Sequence, residues 1–326
     1  MASIRRILVA VKDPSARTQP ALRKAAQLAS GLGAQLELFH AISEPILVDA
    51  VAFGARSMKD VEGEWRDRHV VRLERMAAPL REQGLKVSVA CEWDFPAFEA
   101  IVRRAERSRC DLIVAERHAK RHLAPWLLRF NDWELLRRSP LPVLLVKSGR
   151  MWKKPVVLAA VDPGHSFAKP AKLDAAILDA GLRVVEALGG TLHAVHAFSP
   201  SVIDANQLDF QNPNLWMQIE SQAAQHSRGR FERAVAVASL PPSRLHLVGR
   251  HPADAIPDVA RRTKASIVVM GAISRSGLKR LVIGDTAERI LDALSCDVLV
   301  IKPAQFKSRV PARSRGVQWV ASPGMI

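Results

Sequence analysis

The sequence predicts an α/β protein made of two tandem copies of one domain, each a parallel sheet between helices. Short apolar runs of strand length alternate along the chain with longer stretches in which apolar residues recur at helical spacing. Strands that are apolar on both faces and joined by helices are typical of such a sheet. The order of elements occurs twice within 326 residues, a length that fits two domains of roughly 100–200 residues.

The repeat is visible at the first strand of each half. The segment ILVAVKDP at residues 7–14 has its counterpart in VVLAAVDP at residues 156–163. Later, residues 112–147 match residues 267–302 without a gap. Few identities remain, but the elements keep their order, so we interpret the halves as diverged copies of one domain.

Five strands are predicted in each half. Those of the first half are Ile7–Val11, Gln35–His40, Val87–Cys91, Leu112–Ala115 and Val143–Lys147. Those of the second half are Val156–Val161, Thr191–Ala197, Leu245–Val248, Ile267–Met270 and Val298–Ile301. The helix after the first strand is indicated by the spacing of Ala21, Leu22, Ala25, Leu28, Ala29 and Leu32. The helix before the last strand is indicated by Ile290, Leu291 and Leu294.

Domain boundaries follow from the joint and the tail. We expect a first domain at residues 1–148, a second at residues 155–303 and a flexible basic tail at residues 304–326. The polar segment SGRMWKKP joins the two domains. The tail lacks periodicity and carries Lys307, Arg309, Arg313 and Arg315.

The charge balance raises a hypothesis about nucleic acid. Lys+Arg number 48 against 32 Asp+Glu, a net charge of +16, and the pI is about 10.5. In the arginine cluster at residues 56–76, however, acidic residues interleave at helical spacing, which is typical of a solvated helix face. No recognition-helix, zinc-finger or aromatic RNA-binding motif is evident. We therefore expect no specific nucleic-acid partner, and sequence-independent nucleic-acid binding stays the alternative.

Other composition features favour a cytoplasmic protein without a membrane partner. No run of eighteen apolar residues occurs, and the first residues lack the pattern of a signal peptide. Three separated cysteines, Cys91, Cys110 and Cys296, do not suggest a disulfide framework.

Residues 271–291 carry the most informative motif. Ligands of open parallel sheets bind where strands end, which directs attention to Asp13, Asp162 and the loop that starts at Gly271. Gly271, Gly277 and Gly284 favour close backbone approach to a ligand, and a helix beginning near Asp285 offers N–H groups to an anion. Three cations stand in the same loop: Arg275, Lys279 and Arg280. The segment is therefore a candidate phosphate site.

Asp162, the glycine loop, the TAERIL helix and the closing CDVLVIKP resemble the universal stress protein family. The nucleotide loop of that family reads Gly, two residues, Gly, nine residues, Gly, then Ser or Thr. Gly271 and Gly284 hold the first and third glycine positions, Ser274 replaces the second, and Asp285 replaces the Ser or Thr. The resemblance covers about residues 4–303 and extends to the double-domain arrangement of some members.

This resemblance implies a Rossmann-like fold with five parallel strands per domain. It also implies dimer-like pairing through the last strands, either within one chain as a pseudo-dimer or in a homodimer. In members that bind ATP, the strand-end Asp contacts adenine and the loop holds the phosphates. Asp162 would then face the base. The phosphates would be lined by Gly271, Ser274, Arg275, Gly284, Asp285 and Thr286.

The departures from the family motif predict reduced affinity for ATP, AMP or another anionic ligand. A carboxylate at Asp285 about 4 Å from a phosphate oxygen costs about 1 kcal/mol in water and about 4 kcal/mol at a partly buried site. Ser274 adds a side chain where close backbone approach is needed. Asp285 also has a purely structural interpretation, because with Glu288 it suits a helix N-cap and capping box.

In the first half the motif is lost. Its aligned positions hold Glu116, Ala119, Arg129 and Phe130, so we expect no ATP site there. Because VKDP is one residue longer than VDP, either Lys12 or Asp13 takes the strand-end position.

No motif demands an enzyme. There is no Walker lysine, no His-Glu zinc motif and no nucleophile elbow, so we expect no catalytic residues and no metal. The candidate cofactor is the ATP, AMP or other anionic ligand of the second half. His193 and His196 stand three apart on a strand and point to opposite faces, which favours ordinary buried or surface histidines. We expect a non-catalytic stress-response or regulatory module with a small-molecule ligand in the second half. A nucleotide hydrolase stays the weaker alternative.

Overall fold

The computed structural model describes residues 3–44, 46–48, 57–117, 130–165, 173–198, 213–271 and 285–321. The chain divides into two compact units. The first domain comprises Ala2–Met151 together with Lys307–Ile326, and the second comprises Trp152–Phe306.

The first domain is a five-stranded parallel sheet with helices in its connections. The five strands of this sheet are β1 (Arg6–Ala10), β2 (Gln35–Ile42), β4 (Val87–Trp93), β5 (Leu112–Glu116) and β6 (Val143–Val146). A short further strand, β3 (Ile46–Val48), lies outside this sheet. Its helices in the described ranges are α1 (Pro20–Leu32), α2 (Met58–Glu82), α3 (Ala97–Arg107) and α4 (Phe130–Arg138). The sheet has the order β4–β2–β1–β5–β6.

The second domain repeats this plan. Its strands are β7 (Val156–Ala160), β8 (Thr191–Ala197), β9 (Leu245–Val248), β10 (Ile267–Gly271) and β11 (Asp297–Ile301). Its α-helices in the described ranges are α5 (Leu173–Leu188), α6 (Pro213–Val235), α7 (Pro252–Arg262) and α8 (Asp285–Ala293). The parallel order is β9–β8–β7–β10–β11, the same as in the first domain. The predicted fold class is confirmed.

The first strand of each domain lies at the centre of its sheet, and this explains its apolar sequence. In β1 the residues from Ile7 to Ala10 are all buried, because helices cover both faces. Helix α1 begins with Pro20 in its first turn and ends at Gly33, whose φ of 64° lies in the left-handed region that favours glycine. Its buried apolar residues include Ala21, Leu22, Ala25, Leu28 and Ala29, as the helical spacing predicts.

Helix α2 is a solvated surface helix, as its interleaved charges predict. Arg81 Nη1 bonds Glu74 Oε2 at 2.5 Å, and Arg68 Nη2 lies 3.6 Å from Glu64 Oε2. Exposed pairs of this kind contribute about 0–1 kcal/mol each to stability. Across the ranges that the structure describes, no helix is both long enough and apolar enough to cross a membrane.

Part of the C-terminal tail, which the sequence predicts to be flexible at residues 304–326, contacts the first domain in this structure. Residues from Lys307 onward belong to the first domain, and strand β12 (Trp319–Ala321) pairs in parallel with β3. Arg103 of α3 donates from Nη1 to the carbonyl oxygen of Pro311 at 2.8 Å. The tail makes these contacts through backbone groups and arginines, which leave no apolar periodicity in the sequence.

Candidate functional site

The candidate site of the second domain lies where β7, β8 and β10 end. Strand β10 neighbours β7 with Met270 opposite Ala160, so Asp162 and Gly271 follow adjacent strands at the same end of the sheet. On the other side of β7, β8 brings His196 to this end. The carboxyl end of a parallel sheet is the usual ligand position in such folds. Asp162 and Gly271, predicted from the sequence, are thus brought together.

The position of Asp162 is set by the turn that follows β7. Its backbone N–H donates to Asp174 Oδ1 of α5 at 3.0 Å. A Cβ placed on Gly164 would lie 3.8 Å from Asp162 Oδ1 and 4.0 Å from His196 Cε1. The carboxylate and the imidazole therefore both border Gly164.

His196 forms the floor of this site. It is 2 % exposed and donates from Nδ1 to the carbonyl oxygen of Val161 at 3.3 Å, since a carbonyl can only accept. Its ring centroid lies 6.2 Å from that of Phe198 and 5.9 Å from that of Phe231 in α6. The sequence analysis interpreted His196 as an ordinary buried or surface histidine and did not predict that it lies near Asp162. The signal that could have done so is His40, which stands at the same point of the first repeat.

Gly271 has a packing role in this structure. A Cβ at this position would lie 2.7 Å from Leu173 Cδ2 and 3.5 Å from Ile177 Cδ1. The missing side chain therefore lets α5 pack closely against the end of β10. This packing is sufficient to explain a glycine at position 271, and no ligand contact is needed to explain it.

The remaining predicted residues lie in or next to a part of the chain outside the description. Ser274, Arg275 and Gly284 fall outside the described residues, as do the loop cations Lys279 and Arg280 and the side chain of Asp285. Helix α8 begins at Asp285, close to the predicted start, and Thr286 lies half-buried in its first turn. The phosphate contacts stay a prediction.

In the first domain, the hydrogen bonds show which residue takes the strand-end position. The N–H of Val11 donates to the carbonyl oxygen of β2 residue Phe39 at 2.8 Å, and that of Val161 donates to the equivalent oxygen of β8 at 3.0 Å. The carbonyl of Val11 accepts from His40 Nδ1 at 2.8 Å, as that of Val161 accepts from His196. Val11 is therefore the counterpart of Val161, and Lys12 stands where the second domain has an aspartate.

Asp13 is instead part of a turn. Its Oδ1 accepts from the backbone N–H of Ser15 at 2.8 Å and from the Ser15 hydroxyl at 2.5 Å. These hydrogen bonds lower the pKa of Asp13. Glu116 ends β5 at the place where Gly271 ends β10. A cation and a carboxylate thus replace the aspartate and the glycine of the second domain. The other aligned positions, Ala119, Arg129 and the side chain of Phe130, lie outside the described residues.

Two cysteines of the first domain, Cys91 and Cys110, are buried in unreactive settings. Burial raises the pKa of both Cys91 and Cys110 to about 12, so their thiols carry little thiolate. His193 Nδ1 lies 3.0 Å from His246 Nε2 on the neighbouring strand. Among the residues that the structure describes, no three His, Cys, Asp or Glu side chains are grouped to hold a metal ion.

Comparison with known proteins agrees with this fold. The universal stress protein family matches residues 3–147 and 156–302. Universal stress protein E of Salmonella typhi and that of Escherichia coli strain K12 are each 27% identical over 322 residues, 95% of this chain and 98% of the relative. A crystal structure of a putative universal stress protein from Pseudomonas aeruginosa UCBPP-PA14 is 28% identical with a TM-score of 0.71, covering 93% of this chain and 94% of that one. A functionally unknown protein from Pseudomonas aeruginosa PAO1 has 27% identity and a TM-score of 0.72 at the same coverage. The chain belongs to the universal stress protein family, as a tandem two-domain member similar to universal stress protein E.

Proposed function

We propose that this chain is a non-catalytic regulatory module of the stress response, with a site for a nucleotide or another small anionic molecule in its second domain. The observation that carries the proposal is the placement of the Asp162 carboxylate and the buried His196 ring at the carboxyl end of the sheet. Membership of the universal stress protein family supports the regulatory role.

The chemistry of this end suits an adenine base. A carboxylate oxygen accepts hydrogen bonds and pairs well with an exocyclic amino group. The half-buried ring of Phe198, which stacks on the buried imidazole of His196, supplies apolar surface beside it. The phosphates would extend toward the loop before α8, where Arg275 and the helix start favour negative charge and Asp285 opposes it.

The second domain is preferred over the first because their strand ends differ in charge. Lys12 occupies the position of Asp162, and an ammonium group cannot accept the hydrogen bond from an amino group. Glu116 occupies the position of Gly271 and adds a carboxylate at the place where phosphates would approach. We infer a single ligand site per chain.

Native mass spectrometry of the purified full chain tests the proposal. We expect either a co-purified small molecule or uptake of one ATP or AMP per chain, with adenosine binding more weakly because it lacks the phosphates. A chain that stays ligand-free and takes up none of the three at millimolar concentration would contradict it.

The net charge of +16 favours one competing function, sequence-independent nucleic-acid binding. Titration of a fluorescent DNA duplex over a range of salt concentrations separates the two. Binding that weakens steeply with salt would support this second function, and no binding at low salt would remove it.

A further inference from the structure

The first domain carries a pair of buried carboxylates where β4 ends and α3 begins. Asp94 is 1 % exposed and Glu99 is 2 % exposed. Arg103 of α3 lies between them: its Nε donates to Asp94 Oδ2 at 3.1 Å, and its Nη1 lies 3.4 Å from Glu99 Oε2. Two buried carboxylates thus share Arg103, and a second cation would bring the number of positive charges up to the number of carboxylates.

The C-terminal tail supplies that cation. Arg315 Nη2 donates to Glu99 Oε1 at 3.3 Å. The backbone N–H of Arg315 donates to Asp94 Oδ1 at 3.0 Å. Four residues earlier, the carbonyl oxygen of Pro311 accepts from Arg103 Nη1 at 2.8 Å. The domain therefore contacts both the side chain and the main chain of one short segment.

The contact is polar and incompletely packed. A cavity of about 240 Å³ lies between Glu92, Glu106 and Arg107 of the domain and Ala312 and Ser314 of the tail. The tail residues on either side of Arg315 are exposed or half-buried. Hydrogen bonds to buried charges, and not burial of apolar surface, therefore hold residues 311–316, and such contacts can be made and broken without unfolding the domain.

We propose that Asp94, Glu99 and Arg103 form a binding site for a short arginine-containing peptide segment, and that residues 311–316 of the same chain are the ligand that fills it. Glu99 binds the arginine side chain, and Asp94 and Arg103 bind main-chain groups of the segment. Pairing of β12 with β3 continues the contact through main-chain groups. The proposal concerns the first domain and does not depend on the nucleotide proposal for the second.

Full-length variants test this site without truncation. Arg315→Ala removes the anchoring side chain, and Arg313→Ala is the matched control, because Arg313 is an exposed arginine two residues away. In hydrogen–deuterium exchange we expect the amides of residues 312–321 to exchange about tenfold faster in Arg315→Ala, because one charged hydrogen bond is lost. Arg313→Ala is expected to match the unsubstituted chain.

A fluorescent peptide of residues 307–321 tests binding in trans. We expect it to bind the Arg315→Ala chain at least about tenfold more tightly than the unsubstituted chain or Arg313→Ala, whose own tails compete. Binding should disappear when the peptide carries alanine at position 315, and when Glu99→Gln is added to the Arg315→Ala chain.

Two results would overturn the proposal. One is equal tail exchange in the Arg315→Ala and Arg313→Ala chains. The other is peptide binding that ignores position 315 of the peptide, since that indicates general attraction between charges. If Glu99→Gln destabilises the domain, the alanine-substituted peptide alone decides the outcome.

Discussion

The imidazole rings of His40 and His69 stack with centroids 4.8 Å apart and planes inclined by 28°. His40 Nε2 and His69 Nδ1 are buried and find no hydrogen-bond partner among the described residues. Burial lowers the pKa of His40 to about 4 and also lowers that of His69. Arg72 lowers both values further and Asp13 raises them. A proton added here enters a buried site beside a second imidazole.

The first prediction is a loss of stability between pH 6.5 and pH 4. In the unfolded chain His40 takes up a proton near its ordinary pKa of 6.5, whereas in the folded chain it does so only at about 4. The unfolded state therefore binds protons first as the pH falls, and the free energy of unfolding drops by at most about 3 kcal/mol from this group. Urea unfolding at several pH values measures the slope.

The variant His40→Asn isolates this contribution. Asparagine does not titrate, and its amide can still donate to the Val11 carbonyl. We expect a flatter pH dependence in His40→Asn, while His226→Asn, a change at an exposed histidine, keeps the original slope. Identical slopes in all three proteins would rule out His40 as the cause.

The second prediction concerns Asp162. If its carboxylate accepts from a ligand amino group, Asp162→Asn weakens binding of ATP or AMP about tenfold, because a charged acceptor becomes neutral. Asp13→Asn in the first domain is the control and should leave affinity unchanged. Calorimetric titration measures both. Equal affinity in the two variants would place the ligand elsewhere.

The third prediction tests repulsion by Asp285 at the start of α8. We expect Asp285→Ser to tighten ATP binding about fivefold or more, since removing a like charge near phosphate gains about 1 kcal/mol or more. Serine is also a good N-cap, so the helix start is preserved. Asp292→Ser, near the other end of the same helix, controls for the change in net charge. Unchanged ATP affinity in Asp285→Ser would remove the repulsion explanation.

The fourth prediction concerns a buried hydrogen bond of the second domain. Trp152 Nε1 donates to Asp297 Oδ2 at 2.9 Å, and both residues are buried. Trp152→Phe removes this donor to a buried carboxylate, so we expect the second domain to lose about 1–3 kcal/mol of unfolding free energy. Trp65→Phe, at an exposed tryptophan, should change stability by less than about 0.5 kcal/mol. Urea unfolding followed by circular dichroism compares them, and equal stabilities would contradict the expected cost.

The sequence predicted the strands and helices well, because their apolar spacing records burial in a layered sheet. It left open whether Lys12 or Asp13 follows the first strand. That choice depends on the backbone hydrogen bond between Val11 and Phe39, which the structure shows and the apolar pattern does not.

The long-range contacts of the candidate site and of the tail could not be predicted from the sequence, because they depend on how distant segments pack. The closeness of Gly271 to Leu173 and of Asp162 to His196 depends on how α5 and β8 pack. The tail was predicted to be flexible because it is basic and lacks periodicity. A hydrogen bond from Arg315 to a carboxylate 221 residues away follows no spacing rule. The predicted phosphate contacts of Ser274, Arg275 and Gly284 stay predictions, because these residues lie outside the described ranges.

The contact of residues 311–321 with the first domain has a consequence during protein synthesis. Asp94 leaves the ribosome 221 residues before Arg315, an interval of about ten to forty seconds at about 5–20 residues per second. Throughout that time the first domain can form its five-stranded sheet, but Asp94 and Glu99 lack their partner Arg315. Until Arg315 has been synthesised, Asp94 and Glu99 therefore have Arg103 as a partner but lack the hydrogen bonds from Arg315.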